Sequence, residues 1–280
     1  MAIHDRSLRR TPFERFVPDL GFARRHFPEI RTEAEERGIS LDDPGAFAML
    51  ESATTALDEV RRPDDGPETL ARHALVLFHA FHFEAAGRSA FLVDAALVRT
   101  VIETEPWEVG TGAEAEGGTG AGAMPGDLLP ESCYVQLPQH LVWAGTDGDD
   151  APASIDGFFR TVVEPHLMHL LPVVGMLEGR PGFTVLPLPG LPLSDAPTWA
   201  TAQMRQGAAD FSSELPGAGL EGLFEARTAG EMLKLATRLV DWVRHVPGAR
   251  TALDRPSLAA DARPAPSALR GERLVVGSPA

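Results

Sequence analysis

Apolar positions in the first hundred residues recur with the 3.6-residue period of helices. Asp43 and Pro44 suit a helix start, and the apolar stripe that follows them consists of Phe47, Leu50, Leu57 and Val60. The next segment, 67–106, is apolar on nearly all sides, which is typical of an enclosed helix. It predicts one long helix or two abutting helices, with Gly87 as the favoured bend. Residues 1–108 are therefore predicted to form a helical bundle.

After residue 130 the pattern changes to alternation and short apolar runs, which indicate strands. The predicted strands are 133–137, 141–143, 155–163, 167–176 and 183–188. Short strands joined by short connections favour a small antiparallel sheet. A last helical stripe at 228–246 begins with the capping box Thr228-Ala229-Gly230-Glu231 and ends before Pro247. We expect this amphipathic helix to pack on one face of the sheet.

Two segments have the composition of flexible chain. Residues 109–130 are rich in glycine and alanine and predict a Gly-rich linker. Residues 248–280 are rich in arginine, proline and alanine and predict a mobile tail. The expected fold is therefore α+β: a helical region at 1–108, the linker, a sheet with its helix at 131–247, and the tail.

Charge and composition narrow the classes of function. Acidic residues outnumber basic ones 40 to 25, and the formal net charge is −15. Because nucleic-acid binding requires a basic surface, we expect no nucleic-acid partner. The only lysine, Lys234, lies outside any Gly-Lys-Ser/Thr motif, so a phosphate-binding P-loop is excluded.

The single cysteine, Cys133, excludes an intramolecular disulfide and any multi-cysteine metal centre within the chain. It favours a reducing compartment, and the N-terminus lacks the apolar core of a secretory signal. No apolar stretch is long enough to span a membrane. These features predict a cytoplasmic protein of bacterial type without membrane insertion. Cys133 with His140 is a conceivable nucleophile and base, but a small core residue is the favoured interpretation.

Histidines form the clearest candidate chemistry. In HALVLFHAFHFEAAGR (73–88), His79 and His82 share one helix face, whereas His73 faces elsewhere. His166 and His169 repeat the spacing, and on a helix the four imidazoles would suit a divalent metal such as zinc. On a strand, which we favour, the second pair points to opposite faces. The alternative interpretation is that these histidines are packed helix residues. No cofactor is expected, although a divalent metal is possible.

Three tryptophans next to loops or proline-rich stretches are candidate anchors for protein contacts: Trp107, Trp143 and Trp199. The chain lacks the residue patterns that most classes of enzyme require for catalysis. The sequence therefore favours a non-catalytic protein-binding, assembly or regulatory component that self-associates or binds a protein partner. The alternative is a metal-binding protein or metal-dependent enzyme with a histidine cluster between its helical and β parts.

Overall fold

The computed structural model describes twelve segments of the chain: 11–17, 20–63, 65–103, 129–139, 141–144, 153–163, 167–174, 184–185, 191–192, 226–246, 248–252 and 270–275. Helices and a mixed β-sheet make up these segments, which confirms the α+β class. Most of the predicted linker lies outside the described residues, as do Trp107, His166 and Trp199. The predicted division into domains therefore stays a prediction.

Seven helices occur in the described segments: α1 (Pro12–Phe16), α2 (Leu20–Arg37), α3 (Pro44–Ala48), α4 (Glu51–Val60), α5 (Pro67–Ala85), α6 (Ala95–Glu103) and α7 (Ala226–His245). None of them combines the length and apolar character that a membrane crossing requires. Helix α3 begins as the sequence indicates, because the Asp43 carboxylate accepts a hydrogen bond from the Ala46 amide at 2.6 Å.

The N-cap residue before helix α4 is Leu50, which has no polar side chain, so the first amides of α4 are capped from a neighbouring helix. The carboxylate of Glu33 in α2 accepts hydrogen bonds from the amides of Glu51 and Ser52, at 3.0 and 2.8 Å, and from the Ser52 hydroxyl at 2.6 Å. These bonds satisfy donors that have no partner within the helix. They also lower the pKa of Glu33 to about 2, with the Ser52 hydroxyl as the largest cause.

Nine strands form the described sheet: β1 (Ser89–Val93), β2 (Ser132–Gln136), β3 (Trp143–Ala144), β4 (Ala153–Val163), β5 (Leu167–Val174), β6 (Thr184–Val185), β7 (Leu191–Pro192), β8 (Arg250–Ala252) and β9 (Arg270–Leu274). Its main order is β6-β5-β4-β2-β1-β9-β8, with β3 beside β4 and β7 beside β5. Strand β1 is parallel to both of its neighbours, and the other pairs are antiparallel. The sheet is thus mixed rather than purely antiparallel as predicted.

The expected helix over 67–106 is wrong in its middle. Helix α5 ends because Gly87 and Arg88 both adopt positive φ, +79° and +59°, and the Arg88 amide bonds the Phe83 carbonyl. The chain then enters the sheet as β1 instead of continuing as a bent helix. The apolar run 90–93 has only four residues, and a run of that length does not distinguish a buried strand from a helix by its pattern. The partners that decide for a strand, β2 and β9, lie far away in the sequence.

Part of the predicted mobile tail is also sheet. Strand β9 pairs with β1, and β8 pairs with β9. The Arg250 guanidinium bonds the Glu272 carboxylate at 2.6 Å across the β8–β9 pair. The indole of Trp242 in α7 donates to the Val275 carbonyl at 3.3 Å. Tertiary contacts therefore fix these tail segments despite their polar composition.

Helices cover both faces of the sheet. On one face, α6 and α7 share a core with alternate strand residues that include Cys133, Val135 and Phe158. On the other face, α1 to α5 share a core with Tyr134 and Phe159. This alternation follows from the two-residue period of strands. Helix α5 packs directly against the second face, which places its histidines between the N-terminal helices and the sheet.

Candidate functional site

Helix α5 carries His79 and His82 into the layer between the helices and the sheet. His79 is only 2% exposed; its Nδ1 lies 2.9 Å from the Thr161 hydroxyl on β4, and its ring stacks on Phe159 at 5.9 Å between centroids. His82 faces the connection between α2 and α3, where its Nε2 donates to the Leu41 carbonyl at 3.1 Å. The two imidazoles therefore bind different neighbours, one in the sheet and one in a loop.

His169 joins them from the sheet. On the β4–β5 pair it stands directly opposite Thr161, the residue that contacts His79. The ring of Phe78 contacts all three imidazoles, with centroid distances of 5.2 Å to His79, 4.7 Å to His82 and 5.6 Å to His169. We call these three residues the histidine cluster. The strand interpretation of residue 169 is confirmed, and His166 lies outside the described residues.

Burial lowers the pKa of every imidazole in the cluster. The effect is strongest for His79, whose pKa lies well below its usual value because of burial and then repulsion by His169 and His82. Burial also lowers the pKa of His169, against attraction from Asp43 and Asp42. For His82 the opposing influences are the Leu41 carbonyl and Asp42. The cluster is accordingly neutral at pH 7.

A buried ring nitrogen of the cluster has no hydrogen-bond partner among the described residues. Nε2 of His169 is buried, and no described residue donates to it or accepts from it. His79 Nδ1, in contrast, has the Thr161 hydroxyl as its partner. That hydroxyl also lies 3.3 Å from the Ser132 hydroxyl, so a short chain of buried polar groups runs from β2 to α5. Such buried polar groups fix how a helix sits on a sheet, because each must keep its partner.

The described residues do not assemble the predicted metal centre. Among them, no group of three or more His, Cys, Asp or Glu side chains is arranged to hold a metal ion. His82 Nε2 is engaged by a backbone carbonyl and His79 Nδ1 lies in contact with a hydroxyl. Whether His166 would add to a site stays a prediction, since it lies outside the described residues.

The sequence also suggested Cys133 as a nucleophile and three tryptophans as protein contacts. Cys133 is fully buried in the core beneath α6 and α7, and burial raises its thiol pKa to about 11. A thiol of that kind is a poor nucleophile at neutral pH. The backbone of Trp143 belongs to β3, opposite Ser154 of β4. Trp107 and Trp199 lie outside the described residues, so the proposed tryptophan contacts remain predictions.

Sequence reasoning missed the polar partners of the cluster. Ser132 and Thr161 occupy buried strand positions, and Asp42 and Asp43 precede a short helix. A small polar residue within a run of apolar positions was the one feature of the sequence that could have indicated Ser132 and Thr161, because a buried hydroxyl needs a hydrogen-bond partner. No local signal connects Asp42 with a histidine 40 positions later.

Comparison with known proteins gives a fold likeness and no family. The chain matches no protein-family model and no curated protein. Among solved structures it is similar to one titled "Crystal structure of AcrVA2", with 14% identity and a TM-score of 0.47 over 94% of this chain and 82% of that one. A likeness of this degree carries no inference about function. Fold and site together describe an α+β protein with a buried histidine cluster under its N-terminal helices.

Proposed function

We propose that this chain is a non-catalytic protein that acts by binding another protein. The observation that carries the proposal is the enclosure of four side chains of the described residues that could act as a nucleophile or a base. The hydroxyls of Ser132 and Thr161, the Cys133 thiol and the His79 imidazole all belong to residues no more than 4% exposed. A nucleophile or base works only if a substrate reaches it, so burial of these groups favours a role other than catalysis.

The pair Thr161 and His79 illustrates the argument. Their 2.9 Å separation equals that of a nucleophile and its base. Both residues, however, lie between α5 and the sheet, with exposures of 0% and 2%. Hydrogen bonding to each other, rather than to a substrate, explains their position. The pair therefore supports a structural role.

A small exposed surface near α3 carries one large apolar side chain that suits a protein contact. Met49 is the large apolar side chain most exposed among the described residues, at 74%, and Asp43, Gly45 and Glu51 around it in the sequence are exposed as well. We call these four residues the α3 surface. Methionine is a flexible apolar residue that adapts to a partner, and it is enriched in protein interfaces.

Charge favours a partner of different sequence over a second copy. Each copy carries a formal net charge of −15, so two copies repel each other at low ionic strength. The α3 surface itself contains two carboxylates and no basic residue. A partner with basic side chains around an apolar recess complements the α3 surface, because the basic groups attract its carboxylates and the recess accepts the Met49 side chain.

Site-specific photocrosslinking in the cells that express the protein tests this proposal. A photoreactive amino acid replaces Met49, and the matched control replaces Ala71, which is exposed on α5 away from the α3 surface. We expect a defined adduct with one protein at position 49 and none at position 71. Identical adduct patterns at both positions, or no adduct at position 49, would refute the proposal.

A further inference from the structure

The histidine cluster lies directly beneath the segment 39–49, which comprises the α2–α3 connection and α3. His82 holds this segment through its bond to the Leu41 carbonyl, at 3.1 Å. Phe47 holds it through edge-on contact with Phe78, at 5.6 Å between centroids, and Phe78 touches all three imidazoles. Phe47 also contacts Phe81 of α5, at 5.6 Å between centroids, and the Phe81 ring lies 5.4 Å from that of His82. Each of these attachments of the segment to α5 therefore involves an imidazole of the cluster or a ring that contacts one.

The surroundings of the cluster suit three neutral rings and not three charged ones. A histidinium carries a proton on both ring nitrogens, and the buried Nε2 of His169 has no described acceptor for one. His79 faces two other histidines and no carboxylate that influences it. A positive charge there would be both desolvated and repelled.

Five titratable groups face one another at this place. They are His79 and His82 from α5, His169 from β5, and Asp42 and Asp43 from the segment itself. The two carboxylates attract a proton to His82 and His169, but burial opposes protonation at each histidine. Once one imidazole is charged, the next protonation occurs beside a like charge. Movement of the segment into solvent relieves both penalties, because water then reaches the rings.

We propose that the histidine cluster is an acid-sensitive latch: neutral imidazoles hold the segment 39–49 on α5 and β5, and their protonation at mildly acidic pH releases it. Release exposes Phe47 and Phe78, which are both fully buried in the closed form. This inference concerns the folded chain alone and does not depend on the protein-binding proposal. If both hold, the latch regulates the α3 surface, because Asp43, Gly45 and Met49 lie on the released segment.

Hydrogen exchange with mass spectrometry on the full chain measures the release. Exchange is recorded between pH 7.0 and pH 5.5 with a chelator present throughout, so that metal loss cannot cause the change, and is corrected for the intrinsic effect of pH on amide exchange. We expect protection of 39–49 to fall about ten-fold per pH unit for each proton bound on opening. Peptides from α7, which lies on the other face of the sheet, should keep their protection.

Variants identify the groups responsible. The double variant His82→Gln and His169→Gln keeps amide donors but cannot become charged at these two positions. Protection of its segment 39–49 should therefore fall less steeply with pH than in the wild type, because His79 is the one imidazole of the cluster left to titrate. The matched control His73→Gln removes a half-buried histidine of the same helix that contacts none of the cluster, and it should respond like the wild type. Circular dichroism at pH 7.0 establishes that each variant is folded.

Two results would overturn the proposal. One is a wild-type chain whose segment 39–49 is as protected at pH 5.5 as at pH 7.0. The other is a double variant that still loses protection to the wild-type extent. If the double variant does not fold, the imidazole resonances of the wild type decide by nuclear magnetic resonance. If the imidazoles of the cluster become protonated above pH 6 while segment 39–49 keeps its protection, the latch is refuted. If their protonation and the loss of protection of the segment occur over the same pH range, the latch is supported.

Discussion

Gly157 of β4 pairs with Gln136 of β2, and replacing it by alanine tests the packing between these two strands. A β-carbon at this position would lie 2.4 Å from the Val135 carbonyl oxygen and 2.5 Å from the Tyr134 hydroxyl. Separations below 3.0 Å do not occur between real atoms of this kind, so one of the two strands must shift. The Val135 oxygen belongs to the backbone of a paired strand and cannot rotate away.

The expected cost of Gly157→Ala follows from overpacking. Extra methyl groups in a well-packed core cost about 1–3 kcal/mol, and a backbone obstacle places this substitution near 3 kcal/mol. The entropy of unfolding is about 2.1 cal/mol/K per residue, so such a loss lowers the melting temperature by about 5 °C for a chain of this length. Differential scanning calorimetry at pH 7.5 measures this shift.

Gly66→Ala is the matched control, because a β-carbon at Gly66 meets nothing within 4 Å. Its cost should stay within about 1 kcal/mol, the difference between glycine and alanine at a helix N-cap. Adding Tyr134→Phe to Gly157→Ala should recover part of the loss, since one of the three close atoms, the Tyr134 hydroxyl oxygen, disappears while the Cζ atom of the ring stays at 2.8 Å. A Gly157→Ala chain that melts within about 1 °C of the wild type would refute the packing argument.

Four further predictions concern titratable and polar groups. The histidines of the cluster have lower pKa values in the folded than in the unfolded chain, so their contribution to the free energy of unfolding is fully present above about pH 6.5. Below that pH the free energy of unfolding should fall by at most about 1.4 kcal/mol per pH unit for each histidine that stays neutral, which urea midpoints at pH 7.5 and 6.0 measure. For Glu33, a lowered pKa means that its stabilisation is present above pH 4.5 and disappears toward pH 2, so Glu33→Gln should lower the melting temperature at pH 7 and flatten its acid dependence. Thr161→Val should cost about 1–3 kcal/mol in chemical denaturation, because it leaves the buried His79 Nδ1 without a partner; an unchanged midpoint would contradict that bond. Cys133 should resist a thiol reagent at pH 8 in the native protein and react at once in denaturant; rapid native labelling would contradict its burial.

Local pattern was sufficient to predict most secondary-structure elements. The 3.6-residue period marked the helices over 44–60 and 226–245, and alternation marked the strands that begin at 132, 153 and 167. These features depend on neighbours in the chain, which is why the α+β class follows from the sequence alone. The same reasoning correctly separated His79 and His82 from His73, because helical geometry fixes which side chains share a face.

Long-range pairing decided the rest. Ser89–Val93 is a strand only because β2 and β9, from distant parts of the chain, supply hydrogen bonds to both of its edges. The same pairing orders part of the Arg-rich tail and makes the sheet mixed. Local propensity contains no information about such partners, so it assigned this run to a helix.

At the candidate site, too, the local sequence determined some features and tertiary contacts determined others. The sequence by itself determined that an apolar helix would carry His79 and His82 on one of its faces. Only the tertiary structure decided that His169 joins them, because the β4–β5 register sets it beside Thr161 and against Phe78. It also decided that the site is enclosed, since burial depends on which surfaces meet. Their meeting is what lowers the pKa values of these imidazoles, because desolvation depends on burial in the fold and not on position in the chain.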